Sequence, residues 1–243
     1  MDVRCLQAVL SAMFLASPAF AGAPVTATPP TTTTATTTAT TTPVPVDSIV
    51  QIGAVVLRAR AADVEPAAIS TPAMQALVER MVAAMRAAPG VGLAAPQLGV
   101  PLRVFVMEDT ASRMQRLTPQ EIVERERVPV PLRVVFNPQV TPVGTETRVF
   151  FEGCLSVAGF SALVPRFHEV EVTGLDERGQ PLILRLRGWP ARIVQHELDH
   201  LDGTLYVDRM WSRSFGTTPQ VLERFGGRPI ADVATELGLP PSP

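Results

Sequence analysis

Between Met74 and Met85 the apolar residues Met74, Leu77, Val78, Met81, Val82 and Met85 recur at helical spacing, which lays one apolar stripe along one face. Thr71 and Pro72 supply an N-cap and a first-turn proline, and Pro89-Gly90 closes the pattern. The expectation is an amphipathic helix whose methionines face the core. The period then changes. "LRVFVM" (102–107) and "LRVVFNPQV" (132–140) read as short strands on either side of a charged insert, Glu108 to Pro131. That insert is expected at the surface, with Thr118, Pro119 and Glu121 capping one short helix. "TRVFFEG", "FHEVEVTGLDERG" and "PLILRLRG" read as further strands, with Glu169 to Val172 alternating and a turn at Asp176-Glu177-Arg178-Gly179; an antiparallel set is the natural arrangement. "GWPARIVQHELDHLDG" (188–203) returns to a helical pattern, Pro190 suiting its first turn and Gly203 the position past its end.

The two ends differ from this body. Residues 1–21 carry Arg4, an apolar stretch around Ala8 to Ala16 and the small-x-small pattern Ala19-Phe20-Ala21, the form of an export signal. The apolar stretch is too short for a spanning helix, so no stable membrane insertion is expected after processing. Residues 22–47 are almost wholly Thr, Ala, Pro and Val, a composition expected to remain a disordered spacer. A globular domain is expected over 48–212. The tail 213–243 has weak helical patterns broken at Gly226-Gly227, and no chemistry is assigned to it.

With 243 residues and 46% hydrophobic content the chain can bury a substantial core. A formal net charge of −2 with no dense Lys/Arg tract gives no electrostatic reason for a nucleic-acid or anionic-membrane partner. Of the two cysteines, Cys5 falls in the signal-like segment. That leaves Cys154 alone, as a small apolar residue or a ligand.

Chemistry concentrates in "QHELDH" (195–200). Positions four apart share a helix face, so His196 and His200 can present two imidazoles to one ion, with Glu197 displaced about 100° around the axis. The glutamate then flanks a metal and suits a general base. A third ligand must come from elsewhere. His168, in an alternating strand, reads as a surface or core-edge residue. Glu223, 23 residues beyond His200, would complete a zinc endopeptidase site, and Cys154 in "FEGCLSV" would give a sulfur ligand. A metal-binding module without turnover is a further alternative.

Three segments, "GVGLAAPQLGV" (90–100), "EGCLSV" (152–157) and "QHELDH" (195–200), resemble in that order the three motifs of peptide deformylase. The likeness extends over most of Ser48 to Met210. "SVAGFSALVPRF" and "MWSRSF" resemble the organellar branch more than the commonest bacterial type. The resemblance implies an α+β fold of mixed, mainly antiparallel sheets packed around a central helix carrying the HExxH motif. It implies hydrolysis of the formyl group from N-formylmethionyl peptides or nascent chains, with Cys154, His196 and His200 as metal ligands. The metal implied is one divalent ion, Fe(II) first, with Zn(II), Ni(II) or Co(II) compatible with the same donors. Glu197 is implied as the acid/base, and Gln97 with the Leu155 backbone N–H as donors to the developing oxyanion. Gly90, Val91 and Gly92 are expected to let a substrate strand approach, the two glycines through close approach and unusual dihedrals. Trp189 and Ile193, at i−7 and i−3 from His196, are expected to line the methionine pocket. Two departures from many bacterial members are Ala158 in place of a proline and Ser161 in place of an arginine near the substrate backbone. The implied role belongs at the ribosome, whereas the N-terminus suggests export.

Overall fold

The computed structural model describes residues 49–88, 90–115 and 117–240; the signal-like segment, the spacer and the expected helix stop at Pro89 lie outside the described residues. The first elements are α1 (Pro66–Ile69) and α2 (Pro72–Ala87). Thr71 caps α2, its hydroxyl accepting from the Met74 N–H at 3.4 Å. The α2 stripe buries Leu77, Val78, Met81 and Met85 against Val104, Val106 and Phe136. Then follow β1 (Gly92–Ala94), β2 (Val104–Asp109), α3 (Ala111–Met114), α4 (Pro119–Glu124) and β3 (Val130–Pro142). The chain continues through β4 (Thr147–Cys154), β5 (Val157–Phe167), β6 (Glu169–Leu175), β7 (Pro181–Arg187), α5 (Trp189–Leu201) and α6 (Tyr206–Arg209). It ends with β8 (Gly216–Thr217), α7 (Thr218–Phe225) and α8 (Ile230–Glu236).

Two antiparallel sheets result. One has the order β1-β2-β3-β6-β7 and the other β4-β5-β8. Helix α5 packs Ala191, Ile193, Val194 and Leu201 against the inward residues of the larger sheet, among them Phe105, Val135, Val170 and Val172. Its other side is tied to the smaller sheet. Gln195 exchanges hydrogen bonds with the backbone of Phe167, Nε2 donating at 2.8 Å and Oε1 accepting at 2.9 Å. The fold is therefore α+β, with the HExxH helix between antiparallel sheets.

In the insert, α4 has the expected reciprocal cap: the Thr118 hydroxyl accepts from Glu121 N–H at 3.2 Å and the Glu121 carboxylate accepts from Thr118 N–H at 2.9 Å. Its base is not at the surface as expected. Asp109 is fully buried and Met114 nearly so, because Arg127 grips the Asp109 carboxylate at 2.7 and 3.1 Å. Such pairing is what allows a buried charge. His168 is also more enclosed than expected, 4% exposed, and is held between Glu126 at 2.7 Å and Glu146 at 3.0 Å. Where the insert crosses the start of α5, Gly188 has φ 63° and a Cβ there would fall 2.6 Å from the Glu126 Cβ. Only glycine serves at that crossing.

The β4–β5 hairpin sets up the site. Its ladder pairs Gly153 with Ser161 and then Cys154 with Val157, so Ala158, Gly159 and Phe160 have no partner on β4. This bulge leaves Leu155 and Ser156 as a two-residue turn and re-aims the residues on both sides of it.

Candidate metal centre and catalytic site

Helical spacing on α5 brings the rings of His196 and His200 to 5.1 Å, edge to face. The hairpin delivers Cys154 to the same place, with its Sγ 3.2 Å from His200 Nε2. One ligand atom from each of the three residues lies within 4.8 Å of the other two. Burial lowers the pKa of His196, but Cys154 and Glu152 outweigh it and hold that imidazole well above its usual range. Burial and the neighbouring His196 hold His200 well below. One sulfur and two imidazoles converging there fit a borderline or soft divalent cation.

Glu152, to which the sequence reading gave no role, organises this centre. Its Oε2 accepts from His196 Nδ1 at 2.9 Å, fixing the ring so that the other nitrogen faces Cys154. Arg166 clasps both Glu152 oxygens at 2.9 Å, and Arg192 Nη1 reaches Oε1 at 2.6 Å. Arg166 continues to Asp199 at 2.5 Å, so β4, β5 and α5 share one buried ion network. Burial raises the Glu152 pKa, but Arg166, His196 and Arg192 together keep it well below the usual carboxylate range. A sequence signal existed: Arg192 is four residues before His196, a charge on a helix face that otherwise points into the protein.

Glu197 is 3% exposed, and its Oε2 has no hydrogen-bond partner among the described residues. Burial pushes its carboxyl up to about 7, His196 opposing and Glu152 adding to the rise. The wall against it is Gly92, where a Cβ would sit 2.2 Å from Glu197 Oε1. Gly90 is similarly tight, a Cβ there falling 2.9 Å from Leu155 Cδ1. Neither glycine has positive φ. The expected unusual dihedrals are therefore absent; close approach by side chains is what needs glycine at both positions. Val91, half-buried beside them, directly precedes β1, which starts at Gly92 and is an edge strand of the larger sheet.

Gln97 is 2% exposed. Its Oε1 accepts from Ala94 N–H at 2.9 Å, which turns its amide nitrogen toward Ser156 Oγ at 3.3 Å and Cys154 Sγ at 3.6 Å. Leu155 sits in the turn directly after Cys154. Trp189 and Ile193 line the same groove, of about 960 Å³, together with Phe151 from β4. Glu223 is exposed on α7 and is not among the converging ligand atoms, so the endopeptidase alternative lacks its third ligand.

A profile of the polypeptide deformylase family matches residues 46–215. Chloroplastic peptide deformylase 1A of Solanum lycopersicum is 49% identical over 79% of this chain and 67% of its own. The chain belongs to the peptide deformylase family. The mitochondrial peptide deformylase of Homo sapiens is 44% identical over 70% of each chain, and peptide deformylase 1 of Streptomyces coelicolor is 46% identical over 79% of this chain and 85% of its own. Among solved structures, the Met-Ala-Ser-bound class I type b peptide deformylase from Acinetobacter baumannii superposes with a TM-score of 0.59 at 31% identity, covering 67% of this chain and 96% of that one. Organellar forms thus stand among the relatives, and family membership makes this chain a metal-dependent hydrolase of the deformylase type.

Proposed function

We propose that this chain removes the formyl group from N-formylmethionyl peptides, releasing formate and a free amine, with a divalent ion held by Cys154, His196 and His200. Ferrous iron is the metal proposed, with Zn(II), Ni(II) and Co(II) suited to the same donors. The observation that carries the reading is the convergence of one sulfur and two imidazole nitrogens within 4.8 Å, beside a buried carboxylate. When bound, the ion supplies Lewis acidity that draws the pKa of water from 15.7 toward about 7.

The chain's own residues do the rest. Glu197, with its pKa near 7 and its Oε2 uncommitted, takes the proton of the attacking water and passes it to the leaving amine as the C–N bond breaks. Such acid/base work contributes about 10²- to 10⁴-fold. Gln97 Nε2, oriented by the bond from Ala94, donates to the formyl oxygen as negative charge collects there, and the Leu155 N–H is its companion donor. The free edge of β1 at Val91-Gly92 receives the peptide backbone as an added strand. Trp189 and Ile193 take the methionine side chain.

Formate release from formyl-Met-Ala by anaerobically prepared, iron-loaded protein tests the reading. Turnover by the wild type and its loss in Glu197→Gln support it. Casein-type cleavage without formate release contradicts it. No described helix is long and apolar enough to cross a membrane. N-terminal sequencing of the native protein separates two locations for the same reaction: a start at Gly22 means export, and a start at residue 1 or 2 means action on nascent chains where they are made.

A further inference from the structure

Residues 49–52 lie in none of the three motifs, yet they tie together the segments that carry Gln97 and Leu155. Ile49 buries its side chain in the same core cluster as Leu98 and the α2 stripe, and Val50 packs against the cluster that holds Val157. Between these anchors the backbone makes two bonds. Val50 N–H donates to the Gln97 carbonyl at 2.9 Å, and Ile52 N–H donates to the Ser156 carbonyl at 2.7 Å.

Gln51 is exposed, and an exposed glutamine ordinarily spends its amide on water. Here both ends of the amide are engaged by protein. Its Nε2 donates to the Leu155 carbonyl at 2.9 Å and to the Ile49 carbonyl at 3.2 Å, while its Oε1 accepts from Ala158 N–H at 3.3 Å. The Leu155 carbonyl belongs to the same planar peptide group as the Ser156 N–H, and that N–H donates to Cys154 Sγ at 3.4 Å. One peptide unit is thus gripped by Gln51 at its oxygen and by the ligand sulfur at its nitrogen. Ala158, the other partner, lies in the bulge where β5 has no pairing with β4. Gln51 therefore closes both ends of the turn that follows Cys154.

We infer that Gln51 is a positioning residue for the reaction: it fixes the turn 155–158 so that the Leu155 N–H and the Gln97 amide aim at one point. The inference rests on the deformylase reading. Leu155 N–H and Leu155 C=O flank a single Cα, so a tilt of the gripped peptide turns the one before it. Oxyanion donors act only when aimed beforehand, and partners that orient a metal site from outside its ligands govern activity without touching the ion.

Gln51→Met keeps the length of the side chain and removes all three of its bonds. On formyl-Met-Ala the variant should lose about 10-fold in kcat, with KM and metal content unchanged, the pattern of an interaction made only in the transition state. A second readout does not depend on turnover. Amide hydrogen exchange of the zinc-loaded full chain, followed by NMR, should quicken about 2- to 10-fold at Ser156 and Ala158, the equilibrium weight of one hydrogen bond, while exchange in α2 stays as in the wild type. A variant kcat equal to that of an active wild type overturns the positioning role alone. A raised KM at unchanged kcat also overturns it, since Gln51 would then be a peptide contact. Unchanged exchange at Ser156 and Ala158 overturns the grip itself. Absence of formate from the wild type overturns the deformylase reading and the role of Gln51 with it.

Discussion

Gly92→Ala isolates the acid/base from the metal. A Cβ at this position would fall 2.2 Å from Glu197 Oε1 and 2.7 Å from its Cδ, about 1.2 Å inside the separation at which ordinary contact begins. The obstacle is the end of a side chain, whereas Gly92 itself is fixed in β1 by pairing with Met107. The carboxylate therefore moves and the strand stays. A displacement of about 1 Å in a reacting group costs on the order of 10²-fold in rate. Because a flexible side chain absorbs the clash, the stability loss should stay near the low end of overpacking, about 1 kcal/mol. The assay is kcat on formyl-Met-Ala, with metal content and thermal midpoint measured on the same preparation. The expected result is a loss of about 10²-fold in kcat with metal occupancy unchanged. A kcat close to wild type would mean that the placement of Glu197 does not limit the reaction, and loss of metal would mean that the substitution reached the ligands instead.

Two other substitutions probe the surroundings. Gln97→Ala removes one donor to the developing oxyanion and should raise the barrier by about 2.7 to 4 kcal/mol, read as lower kcat with metal content intact; an unchanged kcat would remove Gln97 from the oxyanion site. Glu152→Gln should weaken metal affinity by about 10- to 100-fold, because the His196 ring loses its charged partner, and should destabilise the fold by about 3 kcal/mol or more, because Arg192 loses its countercharge. The sign of its pH dependence follows from the low folded-state pKa of Glu152. The stability this carboxylate contributes is whole above its unfolded value of about 4.3 and is lost only as pH falls through the folded value. The part of the gap between wild type and variant that the Glu152 charge carries should thus narrow in denaturant titrations below about pH 4; a gap undiminished at about pH 2 to 3 would contradict this.

How much was legible in the sequence depended on whether a signal was local. Helix α2 and the cap of α4 were readable because their determinants lie within a few residues: the Met74–Met85 stripe, and Thr118 with Glu121. Strands β2, β3, β4, β6 and β7 showed apolar runs or alternation. Strand β5 did not. Ser161, Ala162, Leu163 and Val164 are consecutive and all buried, so the strand has no polar face to alternate with, and Gly159 and Pro165 read as breaks. Strand β1 is three residues long and sits inside a motif rich in glycine and alanine. The two imidazoles were readable from spacing on one helix. Cys154 as their partner came through the resemblance, since a contact across 46 residues leaves no periodic trace. The ion network around Glu152 and the packing of Phe225 against Phe151 are likewise long-range, so nothing local in the tail marks its place beside the groove.

The central claim is that one sulfur and two imidazole nitrogens share a single cation. X-ray absorption at the zinc edge of zinc-substituted protein reads this most directly. The account predicts one Zn–S distance of about 2.3 Å with nitrogen neighbours at about 2.0 to 2.1 Å, and the sulfur shell should vanish in Cys154→Ala. A wild-type spectrum fitted by nitrogen and oxygen alone would contradict it.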